Sequence, residues 1–360
     1  MSTSVREQRI LEIIETARSK PARFRDEHVT MAHGAGGKAS QALIEGLFVP
    51  AFATPALAAM ADAASLELGG ARLALTTDCF VVRPLRFPGG SIGELAVNGT
   101  VNDLAVAGAR PAALTVSFVL EEGLSAEALR AEVLAMSEAA REAGVAVVAG
   151  DTKVVERGRA DGMYICTTGL GVRDERGQLS PAGVRPGDRI LVSGPIAEHG
   201  TAIMLARGEL GLEADIESDT CSLWPAADAL LEAAGASLHC MRDATRGGVA
   251  SVLNELARAS SVCMTVSEAA VPVAPAVAGA CELLGIDPMY VANEGRLVAL
   301  VEPEAAPRAL EALRALPGCG RAADIGEVGA DPPGMVLVRT AFGGRRVMDQ
   351  LTGDPLPRIC

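Results

Sequence analysis

Aromatic residues are scarce in this sequence: Phe, Trp and Tyr make up 3% of its 360 residues. Its interior must therefore be built from Ala, Val, Leu and Ile. The net charge is −13 and no cluster of Lys and Arg with interleaved aromatics occurs, so nucleic-acid binding has little support. The four histidines include no i, i+4 pair, which argues against a zinc site built from histidine. No apolar run approaches the roughly 20 residues of a transmembrane helix, so no membrane span is predicted.

Cysteine is present eight times, but never as a C-x-x-C pair. Several cysteines lie in apolar runs such as "MYICTTG" and "AGACELLG", where reduced, buried thiols are expected. The first twenty residues carry acidic side chains through their apolar stripe and lack the apolar core of a signal peptide. These features predict a cytoplasmic protein.

The length and the 49% hydrophobic content predict two domains. Strand-like and helix-like segments alternate along the chain, which indicates a mixed α/β fold. We predict an N-terminal helical extension over residues 1–29, a first domain over 30–175, a second over 176–345, and a flexible tail over 346–360. Both domains place a strand, an acidic residue and a glycine-containing helix start in similar order, a weak sign of internal duplication.

The tail ends in "PLPRIC", so that the last residue is Cys360. Chain ends fray unless something holds them, and this segment is predicted to be unpaired. An exposed thiol is a liability unless its reactivity is used. The two prolines, Pro355 and Pro357, would keep such an arm extended.

A glycine-rich loop, "HGAGGKAS", runs from His33 into a predicted helix. Such a loop offers backbone N–H groups and a positive helix end to a phosphate. Gly34, Gly36 and Ala39 satisfy the loose G-x-G-x-x-[GA] pattern, but the loop is not a P-loop because Ala32 stands where the first glycine belongs. Taken alone, such a loop is more often a tight turn than a nucleotide site.

Four aspartates follow apolar runs or lie beside glycine or asparagine. Asp78 ends "LALTTD", Asp103 lies in "NGTVND", Asp151 closes "VAVVAGD" and Asp243 lies in "MRDATRGG". Aspartates that reach one crevice from strand ends suit Mg²⁺, which prefers oxygen ligands and often binds phosphates as well. For any single aspartate, capping of a helix or turn is the alternative.

Two more charged residues are candidates for acid–base work beside a phosphate site. Lys153 follows Asp151 in "GDTKVV", and Glu294 lies in "VANEGRL". The alternatives are a solvated loop lysine and a turn residue next to Gly295.

With these motifs assembled, the chain resembles the HypE family of hydrogenase maturation factors, within the superfamily of aminoimidazole ribonucleotide synthetase and selenophosphate synthetase. The resemblance covers Ala32 to Cys360 and rests on "AHGAGGK", "TTDCFVVRPLRFPGGSIGELAVNGTVNDLAVAGARP", "VAGDTKVV", "RDATRGGVASVLNELA", "NEGRLV" and "PRIC". It implies a two-domain fold like that of aminoimidazole ribonucleotide synthetase (PurM-like, α+β or mixed α/β) with a flexible C-terminal tail.

The resemblance also implies an activity. HypE proteins accept a carbamoyl group on the terminal thiol, here Cys360, from the carbamoyltransferase HypF. They use ATP to dehydrate it to a thiocyanate, and the cyanide passes to iron on the HypC–HypD complex during [NiFe]-hydrogenase assembly. By resemblance, Lys153 and Glu294 remove the amide protons, and the N-terminal domains pair into a homodimer with ATP bound in the cleft between the domains, near the dimer interface.

The implied nucleotide site is larger than the motifs alone suggest. The residues expected to bind ATP are Gly34, Gly36, Gly37, Lys38, Asp78, Asn98, Asp103, Gly150, Asp151, Thr152 and Asp243. The expected Mg²⁺ ligands among them are Asp78, Asp103, Asp151 and Asp243.

Two alternatives stay open at this point. The first is an ATP-dependent synthetase of a small molecule, of the purine or selenophosphate type, which would have no use for Cys360. The second is an acidic assembly scaffold whose terminal thiol forms an intermolecular disulfide, and it predicts no Mg-ATP binding.

Overall fold

The computed structural model describes residues 23–208, 211, 214–353 and 358–360. Residues 1–22 of the predicted N-terminal helical extension (1–29) lie outside this part of the chain, as do Pro355 and Pro357, and residues 23–29 form no helix. No helix within the described residues is both long and apolar enough to span a bilayer.

The first domain is built on a five-stranded sheet in the order β1-β2-β7-β5-β6, in which only β5 and β6 are parallel. Its strands, with the small β3–β4 ribbon, are β1 (Ala64–Leu68), β2 (Ala71–Phe80), β3 (Arg86–Phe87), β4 (Gly90–Ser91), β5 (Ala109–Glu121), β6 (Ala146–Val155) and β7 (Met163–Arg173). Its α-helices are α1 (Lys38–Leu43), α2 (Val49–Phe52), α3 (Pro55–Ala58), α4 (Ile92–Val106) and α5 (Ala126–Glu142).

Helix α4 is the element that positions the site. It is buried on every side, because one face packs on β2, β5 and β7 while its C-terminal end joins an apolar cluster of the second domain. Polar residues on this helix are thereby held between the two domains.

The opposite face of the sheet is exposed. Residues alternate along β2 between the inner face, such as Ala74, and the outer face, such as Leu75, because side chains of a strand point to opposite sides. The edge strand β6 is exposed along nearly its whole length.

The second domain is built on a seven-stranded sheet in the order β14-β13-β10-β12-β8-β11-β9, with only β10 and β13 parallel. Its strands are β8 (Arg189–Val192), β9 (Leu238–Asp243), β10 (Cys263–Ser267), β11 (Leu297–Val301), β12 (Ala323–Gly329), β13 (Met335–Arg339) and β14 (Arg345–Met348). Its α-helices are α6 (Glu198–Ala206), α7 (Trp224–Ala234), α8 (Gly248–Ala259), α9 (Pro275–Leu284) and α10 (Ala306–Arg314).

The tail differs from its prediction at both ends. Strand β14 pairs with β13, so the second domain continues past the predicted boundary at residue 345. At the other end, the carbonyl of Arg358 accepts from the N–H of Arg83 (3.3 Å), a carboxylate oxygen of Cys360 accepts from the N–H of Val81 (3.1 Å), and Ile359 is 2% exposed. The expectation of an unpaired tail is wrong for these residues, because proline content upstream does not remove the carbonyl acceptors or the apolar side chain downstream.

Candidate functional site

Buried carboxylates meet where α4, β2 and β9 converge. Oxygens of Asp62, Asp103 and Asp243 lie within 4.8 Å of one another, and the side chain of Asp78 is hydrogen-bonded to Asp103. Three of these four residues, Asp78, Asp103 and Asp243, are aspartates that the sequence motifs singled out. A set of carboxylate oxygens at this spacing can hold a divalent cation.

The fourth aspartate, Asp62, is placed by the β1–β2 hairpin. This hairpin turns at Gly69–Gly70 as predicted, and its register, continued past β1, sets Asp62 opposite Thr77. The hydroxyl of Thr76 lies 3.0 Å from the carbonyl of Asp62 and 2.6 Å from Oδ2 of Asp103. The register of the predicted β1–β2 hairpin could have identified Asp62 from the sequence. Asp62 was missed because it belongs to none of the motifs.

Burial and mutual repulsion disfavour the ionised form of these carboxylates. Burial raises the pKa of Asp243 to about 8 and that of Asp62 to about 6, and in each case neighbouring carboxylates add to the shift. Burial, with Asp78 and Asp243 next to it, raises the pKa of Asp103 well above its ordinary value. Arg242, whose Nε lies 2.9 Å from Asp62, opposes the shift there. Such a group favours any cation that replaces the protons.

Glu294 reaches the same junction from the loop before β11. Its N–H donates to Oδ1 of Asp219 (3.0 Å) and its carbonyl accepts from Nδ2 of Asn102 on α4 (3.1 Å). The side chain is 2% exposed, and among the described residues its Oε1 has no hydrogen-bond partner. Across from it lies Gly99, where an added Cβ would be 2.8 Å from the Phe80 ring and 3.9 Å from Oε2 of Glu294.

This buried carboxyl is a candidate for proton transfer. Burial, followed by repulsion from Asp243 and Asp219, raises the pKa of Glu294 well above its ordinary value. A carboxylate with a raised pKa is a stronger base once it is ionised. The predicted nucleotide contact Asn98 lies on the same helix as Gly99, and its Nδ2 donates to Oγ1 of Thr220 (3.3 Å).

The terminal cysteine lies at the end of β2. Its backbone carboxylate accepts from the N–H of Val81, three residues beyond Asp78, and Cys360 is half-buried against the apolar core. The fold therefore brings the acidic cluster and Glu294 to one junction between the domains, and it docks the terminal cysteine at the end of β2, the strand that carries Asp78.

Gly150, Asp151, Thr152 and Lys153 do not lie there. They lie on β6, where Nζ of Lys153 pairs with Oδ2 of Asp151 at 2.8 Å and both side chains are more than half exposed. The row of paired residues that contains Asp151 runs through Ser117 and Cys166 to Cys79, so three strand spacings, about 14 Å, separate Asp151 from β2. Within one chain the expectation that four aspartates reach one crevice is wrong for Asp151; its role as a ligand stays a prediction.

The glycine loop is bound to the C-terminal segment. The N–H groups of Lys38 and Ala39 donate to the carbonyls of Leu351 (2.9 Å) and Thr352 (3.4 Å). Nζ of Lys38 pairs with Asp349 at 2.7 Å. The contact of Lys38 with phosphate stays a prediction, and in this conformation residues 349–352 occupy the groups that would make it.

The same loop reaches the acidic cluster through an arginine that the sequence analysis did not single out. Nη1 of Arg246 donates to the carbonyl of Gly34 (2.8 Å), and Gly36, at φ +74°, leaves no room for a Cβ against Arg246. Arg246 lies three residues after Asp243, so the loop and the cluster are neighbours.

Comparison with known proteins agrees with this architecture. Residues 60–173 match the N-terminal domain of AIR synthase related proteins, and residues 185–338 match the C-terminal domain of that family. The chain is 50% identical over 337 residues to the carbamoyl dehydratase HypE of Bradyrhizobium diazoefficiens, which covers 94% of this chain and 97% of that protein.

Two solved structures are similar over most of the chain. A crystal structure of a HypE–HypF complex gives a TM-score of 0.82 at 45% identity and covers 86% of this chain and 99% of its own. A crystal structure of the hydrogenase maturation protein HypE with ATP gives a TM-score of 0.77 at 46% identity and covers 92% of this chain and 100% of its own.

Proposed function

Because this chain belongs to the HypE family of AIR synthase related proteins, we propose that it is an ATP-dependent carbamoyl dehydratase that acts on its own last residue, Cys360. The observation that supports the proposal is the docked tail, which sets Cys360 at the end of β2, the strand that carries Asp78 of the acidic cluster. A synthetase of a small molecule would have no use for this placement.

The reaction converts an S-carbamoyl group and ATP into a thiocyanate, ADP and phosphate. An amide oxygen is a poor leaving group, so the γ-phosphoryl group is transferred to it first. The C–O bond then breaks, phosphate leaves with the oxygen, and the nitrogen loses its two protons as the C≡N bond forms. Glu294 is buried, adjacent and basic once ionised, so it is suited to take one of these protons.

The acidic cluster fits Mg²⁺, since its members offer only carboxylate oxygens and repel one another in the absence of a cation. Asp62, Asp78, Asp103 and Asp243 would hold the ion. When bound, Mg²⁺ supplies positive charge to the phosphate oxygens of ATP. Asn98 and the glycine loop are the proposed nucleotide contacts, and the loop becomes available when residues 349–352 give up its N–H groups.

A second copy of the chain would complete the site. The outer face of the first domain's sheet exposes Leu66, Leu68, Leu75, Leu170 and Val172 on neighbouring strands, with Leu68 72% and Val172 51% exposed. An apolar sheet face of this extent is a typical interface, and a homodimer would cover it.

The same outer face carries the residues that lie far from the cluster. In a homodimer, Asp151 and Lys153 of one copy face the other copy, so they can reach its nucleotide site even though they are three strands from their own. Lys153 would then act in the neighbouring site as the second proton acceptor.

The proposed cycle needs two partners. The carbamoyl group comes from a HypF carbamoyltransferase, and a HypE–HypF complex is known for a relative that is 45% identical. The cyanide is delivered to iron on a HypC–HypD complex in the cytoplasm.

Mass spectrometry of the C-terminal peptide tests the reaction directly. After incubation with the carbamoyltransferase, Cys360 should carry a carbamoyl adduct that loses one water only when Mg-ATP is present. Cys319→Ser, at a buried cysteine outside the site, should behave like the wild type, whereas Cys360→Ser should acquire no adduct. A carbamoyl adduct that persists intact with Mg-ATP bound would refute the proposal.

Mixing two inactive variants tests whether the site is shared between copies. Lys153→Ala and Glu294→Gln should each lose dehydration. After subunit exchange, a heterodimer with one intact site should restore about a quarter of the wild-type activity. No recovery, with exchange demonstrated by mass, would show that Lys153 acts in its own chain or not at all.

The interface itself is tested by placing a charge on the apolar face. Leu68→Asp should convert the dimer to a monomer in light scattering. Leu134→Asp, on the exposed side of α5 at 63% exposure, is the matched control and should leave the mass unchanged.

A further inference from the structure

The docked end of the chain is held by a buried histidine. Nε2 of His199, on helix α6, lies 2.6 Å from the carbonyl oxygen of Ile359, the residue before the terminal cysteine. His199 is 0% exposed, and its ring packs edge-on against Phe87 with centroids 5.5 Å apart. Nη2 of Arg207, just after the same helix, donates to the carbonyl of Arg358 (2.7 Å), so two side chains of the second domain bind the backbone of the docked tail.

The direction of the hydrogen bonds is fixed by chemistry. A carbonyl oxygen only accepts, so Nε2 of His199 carries the proton. In the neutral ring Nδ1 is then an acceptor, and Oγ of Ser218, 2.7 Å away, donates to it. Oγ of Ser218 in turn accepts from the N–H of Thr220 (3.1 Å). Each donor in this series has one acceptor, so the hydrogen bonds fix the tautomer of His199 and orient its Nε2 toward the tail.

This series of hydrogen bonds continues into the junction between the domains where the acidic cluster and Glu294 lie. Thr220 accepts from Asn98, and Asp219, between Ser218 and Thr220, accepts from the N–H of Glu294. The three residues 218–220 thus connect the peptide before Cys360 with the proposed base and with a proposed nucleotide contact.

Helix α6 is itself tied to the loop that carries Glu294. The N–H of Ala197, just before the helix, donates to Oδ1 of Asn293 at 2.7 Å, and Gly200 bonds to the carbonyl of Ala292. These bonds link the helix that carries His199 to the loop that carries Glu294.

We propose that His199 is a positioning residue for the dehydration step: it binds the carbonyl of Ile359 and so holds the carbamoylated Cys360 against the site that contains Glu294. The inference rests on the proposed function. It separates two stages of the cycle, since His199 is needed while the tail is docked and has no role while the tail is away from the site and accepts the carbamoyl group.

Three variants and one internal standard test this. His199→Leu removes both ring nitrogens, His199→Gln keeps an N–H donor near the place of Nε2, and Ser218→Ala removes the group that orients the ring. His239→Leu is the matched control, because His239 is buried in the same domain but pairs with Asp188 and does not touch the tail.

The first readout is the alkylation rate of Cys360 by iodoacetamide, measured on the C-terminal peptide by mass spectrometry. Loss of the buried hydrogen bond should raise the rate about tenfold in His199→Leu, less in Ser218→Ala, and little in His199→Gln. Glutathione added to each reaction serves as the internal standard and should be alkylated equally in every mixture. This measurement needs no dehydratase activity, so it tests the contact even if the proposed function fails.

The second readout compares carbamoyl loading with dehydration. His199→Leu should load at the wild-type rate or faster but dehydrate about tenfold more slowly, and His199→Gln should recover dehydration. Equal alkylation of Cys360 in the wild type and His199→Leu would overturn the proposal. So would equal slowing of loading and dehydration, which is the result expected of a merely structural defect. If the wild type itself does not dehydrate the carbamoyl group, the proposed function is wrong. The alkylation rates would still show whether His199 binds the tail.

Discussion

The buried imidazole that holds the tail should also make the stability of the protein depend on pH. Burial lowers the pKa of His199 to about 4, against about 6.5 for an unfolded histidine. Between these two values the unfolded chain binds the proton and the folded chain does not. The stability contributed by the neutral ring is thus fully present above about pH 6.5 and is lost as the pH falls toward about 4.

The magnitude follows from the same two values. At about pH 5 the unfolded imidazole is almost fully protonated and the folded one only about one-tenth, which lowers the free energy of unfolding by about 2 kcal/mol relative to pH 8. The whole shift corresponds to about 3 kcal/mol, reached below about pH 4. Because His199 is fully buried, solvent screening does not reduce this figure.

Urea unfolding of the wild type and His199→Gln at a series of pH values measures the effect. Trp224 is the single tryptophan and lies on α7 of the domain that holds His199, so its fluorescence reports this domain. Glutamine binds no proton, and titration of the carboxylate cluster is common to both proteins, so their difference isolates His199. That difference should fall by about 2 kcal/mol from about pH 8 to about pH 5. If the free energies of unfolding of the two proteins changed with pH in parallel, the proposed titration of His199 would be refuted.

Two further predictions concern the glycine loop and the acidic cluster. Gly37→Ala should release the C-terminal segment from the loop, because its Cβ would lie 2.4 Å from the carbonyl oxygen of Leu351, whereas Gly34→Ala meets nothing within 4 Å. Hydrogen exchange of the Lys38 and Ala39 amides, which donate to this segment, should rise in the first variant alone, and equal exchange in both would contradict the packing. Asp62→Asn should weaken Mg²⁺ binding about tenfold in calorimetry, since it removes a charge from the cluster, while the exposed Asp331→Asn should not. Unchanged affinity in Asp62→Asn would place the cation elsewhere.

Local patterns predicted much of this site. The apolar runs on either side of Gly69–Gly70 fix the hairpin, and the position of Asp78 at the end of the second run follows from it. Asp243 is likewise the last residue of a strand, and Asp103 lies on a helix whose apolar period is readable from the sequence. Each of these assignments depends on residues close together along the chain.

Sheet order and tail docking depend on distant residues, and the sequence alone does not determine them. Asp151 also follows an apolar run, yet β6 pairs in parallel with β5 at the sheet edge, three strands from β2. Periodicity cannot distinguish an edge strand from a central one, so Asp151 was expected in the same crevice. Ile359 was assigned to a loose tail because Pro and Gly precede it, although its carbonyl has a buried partner 160 residues away in sequence.

The energetics of the last three residues fit a carrier that must both dock and leave. Ordering Arg358, Ile359 and Cys360 costs about 1–2 kcal/mol of conformational free energy per residue. Against this, four hydrogen bonds from Arg83, Arg207, Val81 and His199 to the tail backbone contribute about 1 kcal/mol each, the partly exposed ion pair of Arg358 with Asp161 contributes about 0.5 kcal/mol, and burial of the Ile359 side chain contributes about 2 kcal/mol. The two sides agree to within a few kcal/mol, so the docked state is favoured only modestly. Removing one contact is therefore enough to shift the population of the tail, so loss of the hydrogen bond from His199 should shorten the time that Cys360 spends at the site.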